Sequence, residues 1–195
     1  MIIKASNIAN LKTKFGNFKI KVFKDKSKKE HLVLIKGNIE KNLPLVRIHS
    51  ECLTGDVFFS LRCDCRSQLE NSIKKVEKNK CGIIIYLRQE GRGIGLLNKI
   101  NAYNLQDKGK DTVEANLDLG FKEDQRNYDL ACEILKDLKV LKIKLITNNP
   151  LKMKALKAAG IDVVERIKID SNICSHNKDY LKTKQKKLGH FLNIS

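Results

Sequence analysis

Three cysteines, Cys52, Cys63 and Cys65, stand at the spacing Cys-x10-Cys-x-Cys in the stretch RIHSECLTGDVFFSLRCDCRSQ, residues 47–68. A turn signal, Leu53-Thr54-Gly55-Asp56, follows the first cysteine. Val57-Phe58-Phe59 then reads as a short strand. A chain that goes out, turns and returns over eleven residues brings Cys63 back to Cys52. Cys65 falls at the start of a helix whose inner face is Leu69, Ile73 and Val76. There the helix dipole and the free N–H groups favour a thiolate. Three thiolates so placed suit zinc, at about 2.3 Å per sulfur, with a fourth position left open for water. His49, three residues before Cys52, is the candidate that would close the site instead. Three buried, reduced cysteines acting as small hydrophobes are the plainer alternative.

A second chemical stretch follows the continuous apolar run Gly82–Leu87, which reads as a buried strand. It is Arg88-Gln89-Glu90-Gly91-Arg92-Gly93-Ile94-Gly95. Its glycines allow a ligand close to the backbone, and the strand-to-helix edge is where α/β folds bind ligands. Glu90 could accept from the N–H groups of a guanine edge. Farther on, Asp124 and Arg126 stand at the entrance of a helix over residues 127–138, a place that favours an anion. Thr147 and Lys152 flank the start of another helix, opened by Pro150, and form a second candidate phosphate site.

The elements that must hold these residues are legible in outline. Residues 18–23 and 31–36 read as two paired strands, with a third ending near Arg47. The helix after Cys65 stops at Lys78-Asn79-Lys80-Cys81-Gly82. Residues 96–105 read as a helix whose apolar set is Leu96, Leu97, Ile100 and Leu105. Residues 143–147 and 161–164 read as parallel strands joined through a helix. Tyr180 to Leu188 reads as a closing helix. The expected fold is mixed α/β: a β-rich front lobe joined to a mixed or parallel sheet with flanking helices, in a single compact domain over residues 1–195.

With 195 residues the chain can build a core without disulfides. No apolar run is long enough to span a bilayer, and residues 1–16 lack a signal-peptide core. A cytoplasmic protein is expected, with Cys81, Cys132 and Cys174 as spare thiols. The formal charge of +17 invites nucleic acid. However, six of the seven arginines lie between Arg47 and Arg126, while lysine is spread along the chain. Arginine is thus concentrated where a bidentate grip on phosphate would matter. No specific nucleic acid and no membrane partner are expected. A zinc-dependent nucleic-acid module, resting on charge alone, is the rival reading, and a closed structural zinc domain is a third.

The blocks VRIHSECLTGDVFFSLRCDCRSQL, YLRQEGRGIGLLNKINAYNLQDKGKDTVEAN, LGFKEDQR and LITNNPLK resemble GTP cyclohydrolase II, from about Thr13 to the terminal KKLGH. The dihydroxybutanone-phosphate synthase domain that precedes it in bifunctional relatives is not expected here. The resemblance implies ring opening of GTP, the first step of riboflavin synthesis. C8 leaves as formate and pyrophosphate leaves from the triphosphate, giving 2,5-diamino-6-ribosylamino-4(3H)-pyrimidinone 5′-phosphate. It implies one zinc per subunit on Cys52, Cys63 and Cys65, magnesium with the triphosphate, and a homodimer.

By the same resemblance Arg126 falls on the family's proposed nucleophile toward the α-phosphorus and Asp124 on its proton acceptor. Guanidinium stays protonated below about pH 12, so stabilising phosphoryl charge is the alternative role for Arg126. Tyr103 matches a tyrosine the family needs near the opened ring. The implied GTP-binding positions are Arg47, Ile48, His49, Ser50, Glu51, Gln68, Glu90, Gly91, Arg92, Thr112, Thr147 and Lys152. Leu87 and Arg66-Ser67 depart from the family's usual residues and bear on the shape of the pocket.

Overall fold

The computed structural model describes residues 1–170 and 172–192. Eight strands form one mixed sheet. They are β1 (Ile2–Ala5), β2 (Ala9–Thr13), β3 (Gly16–Asp25), β4 (Glu30–Lys36), β5 (Leu45–Ser50), β6 (Gly82–Leu87), β7 (Lys142–Ile146) and β8 (Asp162–Ile167). The helices are α1 (Leu53–Asp56), α2 (Cys65–Asn79), α3 (Gly95–Asp107), α4 (Thr112–Asp118), α5 (Asp129–Asp137), α6 (Pro150–Ala158) and α7 (Lys178–Lys186). The mixed α/β class expected from the sequence is the one observed. Its β-rich front and its parallel pair turn out to be parts of one sheet, in the order β1-β3-β4-β6-β5-β7-β8, with β2 also on β3.

Strand β3 pairs antiparallel with β4, Phe23 opposite His31 and Lys19 opposite Ile35. Strands β5, β7 and β8 run parallel. Strands β1 and β2 have no counterpart in the sequence reading. They are mostly exposed and lysine-bearing, so no hydrophobic alternation marks them.

The chain divides into two units. The first, residues 1–49, 69–88 and 128–170, contains the sheet. Its core joins Val33, Ile48, Ile83, Ile85, Ile134, Leu135, Ile143, Leu145 and Leu156. A second cluster includes Phe18, Leu45, Ile84 and Ile146, with Val76, Leu69 and Ile73 supplied by α2. The second unit, residues 50–68, 89–127 and 171–195, is built from α1, the first turn of α2, α3, α4 and α7.

Two local readings need correction, both in the second unit. Residues 57–59 are not a strand. The chain makes the single helical turn α1 and then an irregular turn in which Phe59 adopts a φ of 60°. Val57, Phe58 and Phe59 are exposed, Phe58 by 71%. An apolar run there does not mark an inside. On α3 most of the apolar set also faces outward: Leu96, Leu97 and Ile100 are exposed, Leu97 by 74%, while Leu105 is half-buried. The inner side carries Lys99 and Ala102. The reason lies in what the helix packs on, which is a polar site rather than an oily core.

Candidate active site

The three sulfurs converge as their spacing predicts. The thiols of Cys52, Cys63 and Cys65 lie within 4.8 Å of one another, with Cys52 Sγ 3.6 Å from Cys63 Sγ. Gly55 makes this approach possible. A Cβ there would lie 2.7 Å from Cys63 Sγ, closer than atoms can pack, and a tight 3.1 Å from Cys52 Sγ. The turn itself is held by the Cys52 N–H, which donates to Asp56 Oδ2 at 3.0 Å. Among the described residues no His, Asp, Glu or further Cys joins the trio as a fourth ligand.

The acid–base state of the cluster suits a cation. Hydrogen bonds from the Cys63 and Cys65 thiols hold the Cys52 sulfur ionised, well below the usual thiol range. The same bond to Cys52 pushes Cys63 up to about 11, and bonds to Cys52 and Cys63 also raise Cys65. Three sulfurs this close cannot all be thiolates in the absence of a compensating positive charge. A dication would supply it, so the trio could hold a metal ion.

A buried lysine supplies part of that charge already. Lys99 Nζ donates to Cys52 Sγ at 3.2 Å, to Thr54 Oγ1 at 2.9 Å and to Glu90 Oε1 at 2.8 Å. Burial works against its charge, but the Cys52 thiolate, Tyr103 and Glu90 outweigh it and raise its pKa. Glu90 is tied in further, because its Oε2 accepts the Leu53 N–H at 2.6 Å. A guanine edge at Glu90 would therefore share oxygens that already accept. Tyr103 Oη lies 3.3 Å from Thr54 Oγ1, and the Arg62 guanidinium sits 4.8 Å from its ring centroid. Burial raises the Tyr103 pKa, so the phenol keeps its proton at neutral pH.

These groups share one cavity, lined by Ser50, Glu51, the three cysteines, Arg62, Glu90, Gly91, Arg92, Tyr103, Thr112, Arg126 and Tyr180, among others. Gly91 and Arg92 both adopt left-handed backbone, with φ of 61° and 60°. For arginine that conformation is uncommon. Both terminal guanidinium nitrogens of Arg92 are buried without a hydrogen-bond partner among the described residues. The loop 122–127 is fixed beside this turn, since the Gln125 N–H donates to Arg92 O at 3.0 Å. Arg126 is gripped by Asp124: Nε donates to Oδ1 at 2.9 Å and the second terminal nitrogen to Oδ2 at 2.5 Å. Burial alone would raise the Asp124 pKa, yet Arg126 holds the carboxyl below the usual carboxylate range. Thr112 opens α4, whose N-terminus is closed by a capping box between Asp111 and Glu114.

The remaining predicted residues are not among those that line this cavity. Gln68 does not line the cavity; its Nε2 donates to Asp64 Oδ2 at 2.5 Å. Arg47, Ile48, His49, Thr147 and Lys152 belong to the first unit, at the ends of β5 and β7 and on α6. There Lys152 Nζ donates to Ile48 O at 2.7 Å, and an Arg47 terminal nitrogen donates to Ile146 O at 3.2 Å. Thr147 Oγ1 accepts the Asn149 N–H at 3.0 Å. The His49 ring stacks on Tyr86 at 5.4 Å. Neither departure from the family pattern touches the cavity. Leu87 is core, and Arg66 lies over the Phe59 ring at 3.7 Å.

Sequence reasoning missed Lys99, Thr54, Asp64, Tyr180 and Lys184. For Lys99 a signal existed: it stands four residues before Tyr103 on one helix face.

The profile described as GTP cyclohydrolase II matches residues 4–168. This chain belongs to the GTP cyclohydrolase II family. A Campylobacter fetus protein named GTP cyclohydrolase-2 is 54% identical over 194 residues, covering 99% of this chain and 98% of that one. A relative of the same name from Buchnera aphidicola subsp. Schizaphis graminum is 55% identical over 186 residues, covering 94% and 95%. A solved structure described as RibBX, a two domain 3,4-dihydroxy-2-butanone 4-phosphate synthase from A. baumannii, is similar over 88% of this chain and 41% of that one. Its identity is 17% and its TM-score 0.48, too slight to inform the function. The family thus rests on full-length sequence relatives. For a GTP cyclohydrolase II family member, the convergence of three thiols in an arginine-lined cavity is the central feature to explain.

Proposed function

We propose that this chain is a GTP cyclohydrolase II that opens the imidazole ring of GTP. It releases C8 as formate and the β- and γ-phosphates as pyrophosphate, giving 2,5-diamino-6-ribosylamino-4(3H)-pyrimidinone 5′-phosphate for riboflavin synthesis. The carrying observation is that Cys52, Cys63 and Cys65 share a cavity with Arg62, Arg92 and Arg126. The donor set, three sulfurs without a fourth protein ligand among the described residues, fits a catalytic rather than a closed structural zinc. Zinc on Cys52, Cys63 and Cys65 would supply the electrophilic activation for hydrolysis at C8.

The chain's own residues do the rest. Lys99 draws charge from the Cys52 thiolate, which offsets the electron-rich ligand set. Tyr103, neutral and within reach of Thr54, is placed to orient or give a proton near the opened ring. Arg92 offers guanidinium nitrogens to the triphosphate. Arg126, locked in its fork by Asp124, presents fixed positive charge to the phosphoryl group being transferred. That grip favours charge stabilisation over attack by a guanidine, which would have to lose its proton first. Magnesium, bound with the triphosphate, would neutralise part of its charge.

A homodimer in the cytoplasm completes the reading. The exposed apolar residues Phe58, Phe59, Leu61, Leu97 and Ile100 support an interface on the second unit. The test is product analysis. The protein, loaded with zinc and given GTP and Mg²⁺, should yield formate, pyrophosphate and the diaminopyrimidine in equal amounts. Absence of the pyrimidine product after loading would overturn the reading.

A further inference from the structure

Asp64, between two of the three cysteines, has a side chain with no solvent exposure and is paired with a lysine. Its Oδ1 accepts from Lys184 Nζ at 2.8 Å, and its Oδ2 from Gln68 Nε2 at 2.5 Å. Its main-chain oxygen accepts the Gln68 N–H at 3.0 Å and the Ser67 hydroxyl at 2.9 Å, so it also ties down the first turn of α2. Lys184 is buried in turn, and its ammonium lies 4.5 Å from the centroid of the Tyr180 ring. Tyr180 lines the cavity, with the Arg92 guanidinium 5.7 Å from its ring centroid. Both residues come from α7, which lies beyond residue 168, where the family match ends.

Desolvating two charges costs about what their attraction returns, so a buried pair of this kind is a weak source of stability. It does fix geometry. Every oxygen of Asp64 is held, and the residue has a metal-ligating cysteine on each side. Groups one step removed from a metal set the orientation of its ligands.

We propose that Lys184 is a positioning residue for the three-sulfur centre. Through the buried Asp64 carboxylate it holds the Cys63-Asp64-Cys65 loop in the geometry that receives the metal. This makes the C-terminal helix part of the active site. The inference rests on the reading of the trio as a zinc site.

The test is zinc affinity, measured by competition with a chromophoric chelator on the full chain. The thiolate charge-transfer bands of the Co²⁺-loaded protein give a second readout that does not depend on turnover. Lys184→Met should weaken zinc binding about 10- to 100-fold and shift the Co²⁺ bands. Lys184→Arg, which keeps a cation in reach of Asp64, should recover most of the affinity. If Lys184→Met fails to fold, Asp64→Asn/Lys184→Met decides, because it strands no charge and should show the same loss. Wild-type affinity and unchanged bands in the single or the double variant would overturn the proposal. A wild-type protein that takes up no zinc would be recognised in its own arm. It would remove the zinc reading, and the positioning role would fall with it.

Discussion

The two units of this chain bury apolar and charged groups in different proportions. Nearly all of the largest fully buried side chains, among them Phe23, Ile83, Leu135, Leu145 and Leu156, belong to the unit with the sheet, while Leu181 is buried in the other. The other unit buries Asp64, Lys99, Asn116 and Lys184 and exposes Phe58, Leu61 and Leu97. Apolar packing is non-directional and tolerant of small shifts, whereas buried charges must meet their partners at fixed distances. The first unit therefore behaves as a scaffold, and the second as a set of groups held in position for chemistry. Substitutions in the two units should accordingly fail in different ways.

The largest effect is expected at a sulfur. Cys63→Ser removes one of the three sulfurs and should abolish zinc retention and formate release, while the circular dichroism of the sheet persists. A variant that still released formate at the native rate would erase the contrast between the units. Leu145→Ala is the mirror experiment. It empties part of a fully buried site and should cost about 2–5 kcal/mol of stability, read from denaturant midpoints. Zinc affinity of the folded fraction should not change.

Lys99→Met should have an intermediate effect. Removing the cation beside Cys52 is expected to lower kcat about 10- to 100-fold, with KM for GTP nearly unchanged. A KM effect alone would mean that Lys99 serves binding rather than the sulfur centre.

Acid titration sharpens the comparison through Asp124. Its pKa is lowered in the folded protein, because Arg126 outweighs the upward push of burial. The stabilisation from this pair is thus fully present above the ordinary carboxylate range, about pH 4, and is lost only as pH falls through the lowered folded value. Carboxylate signals followed by NMR should show Asp124 ionised at pH 5. An Asp124 that titrates above pH 5 would contradict the grip. The smallest effect belongs to the scaffold's surface. Lys21→Ala breaks an ion pair to Asp137 at 2.8 Å on the first unit and should cost under about 1 kcal/mol.

The same contrast explains what the sequence could reveal. Hydrophobic periodicity reports burial against an apolar partner. It located β3, β4, β6, the inner face of α2 and the parallel pair β7 and β8, all in the sheet unit. In the site unit that logic inverted. Leu96, Leu97 and Ile100 look like a core face but are exposed, because the inner side of α3 packs on Cys52, Thr54 and Glu90 through Lys99. Val57 to Phe59 misled for the same reason.

The cysteine trio was legible because ligand spacing is a chemical signal that does not depend on periodicity. The pairing of Asp64 with Lys184 was not legible: the two lie 120 positions apart, and no local pattern joins them. The first strands, β1 and β2, were hidden by their exposure, since edge strands carry little apolar alternation.

The central claim is that the three sulfurs hold the metal on which ring opening depends. Protein stripped of metal by a chelator and dialysed should be given GTP and Mg²⁺, and formate should be followed before and after one equivalent of zinc is restored. The stripped protein should give no formate and should recover fully on adding zinc. Formate release at the native rate from the metal-free protein would contradict it.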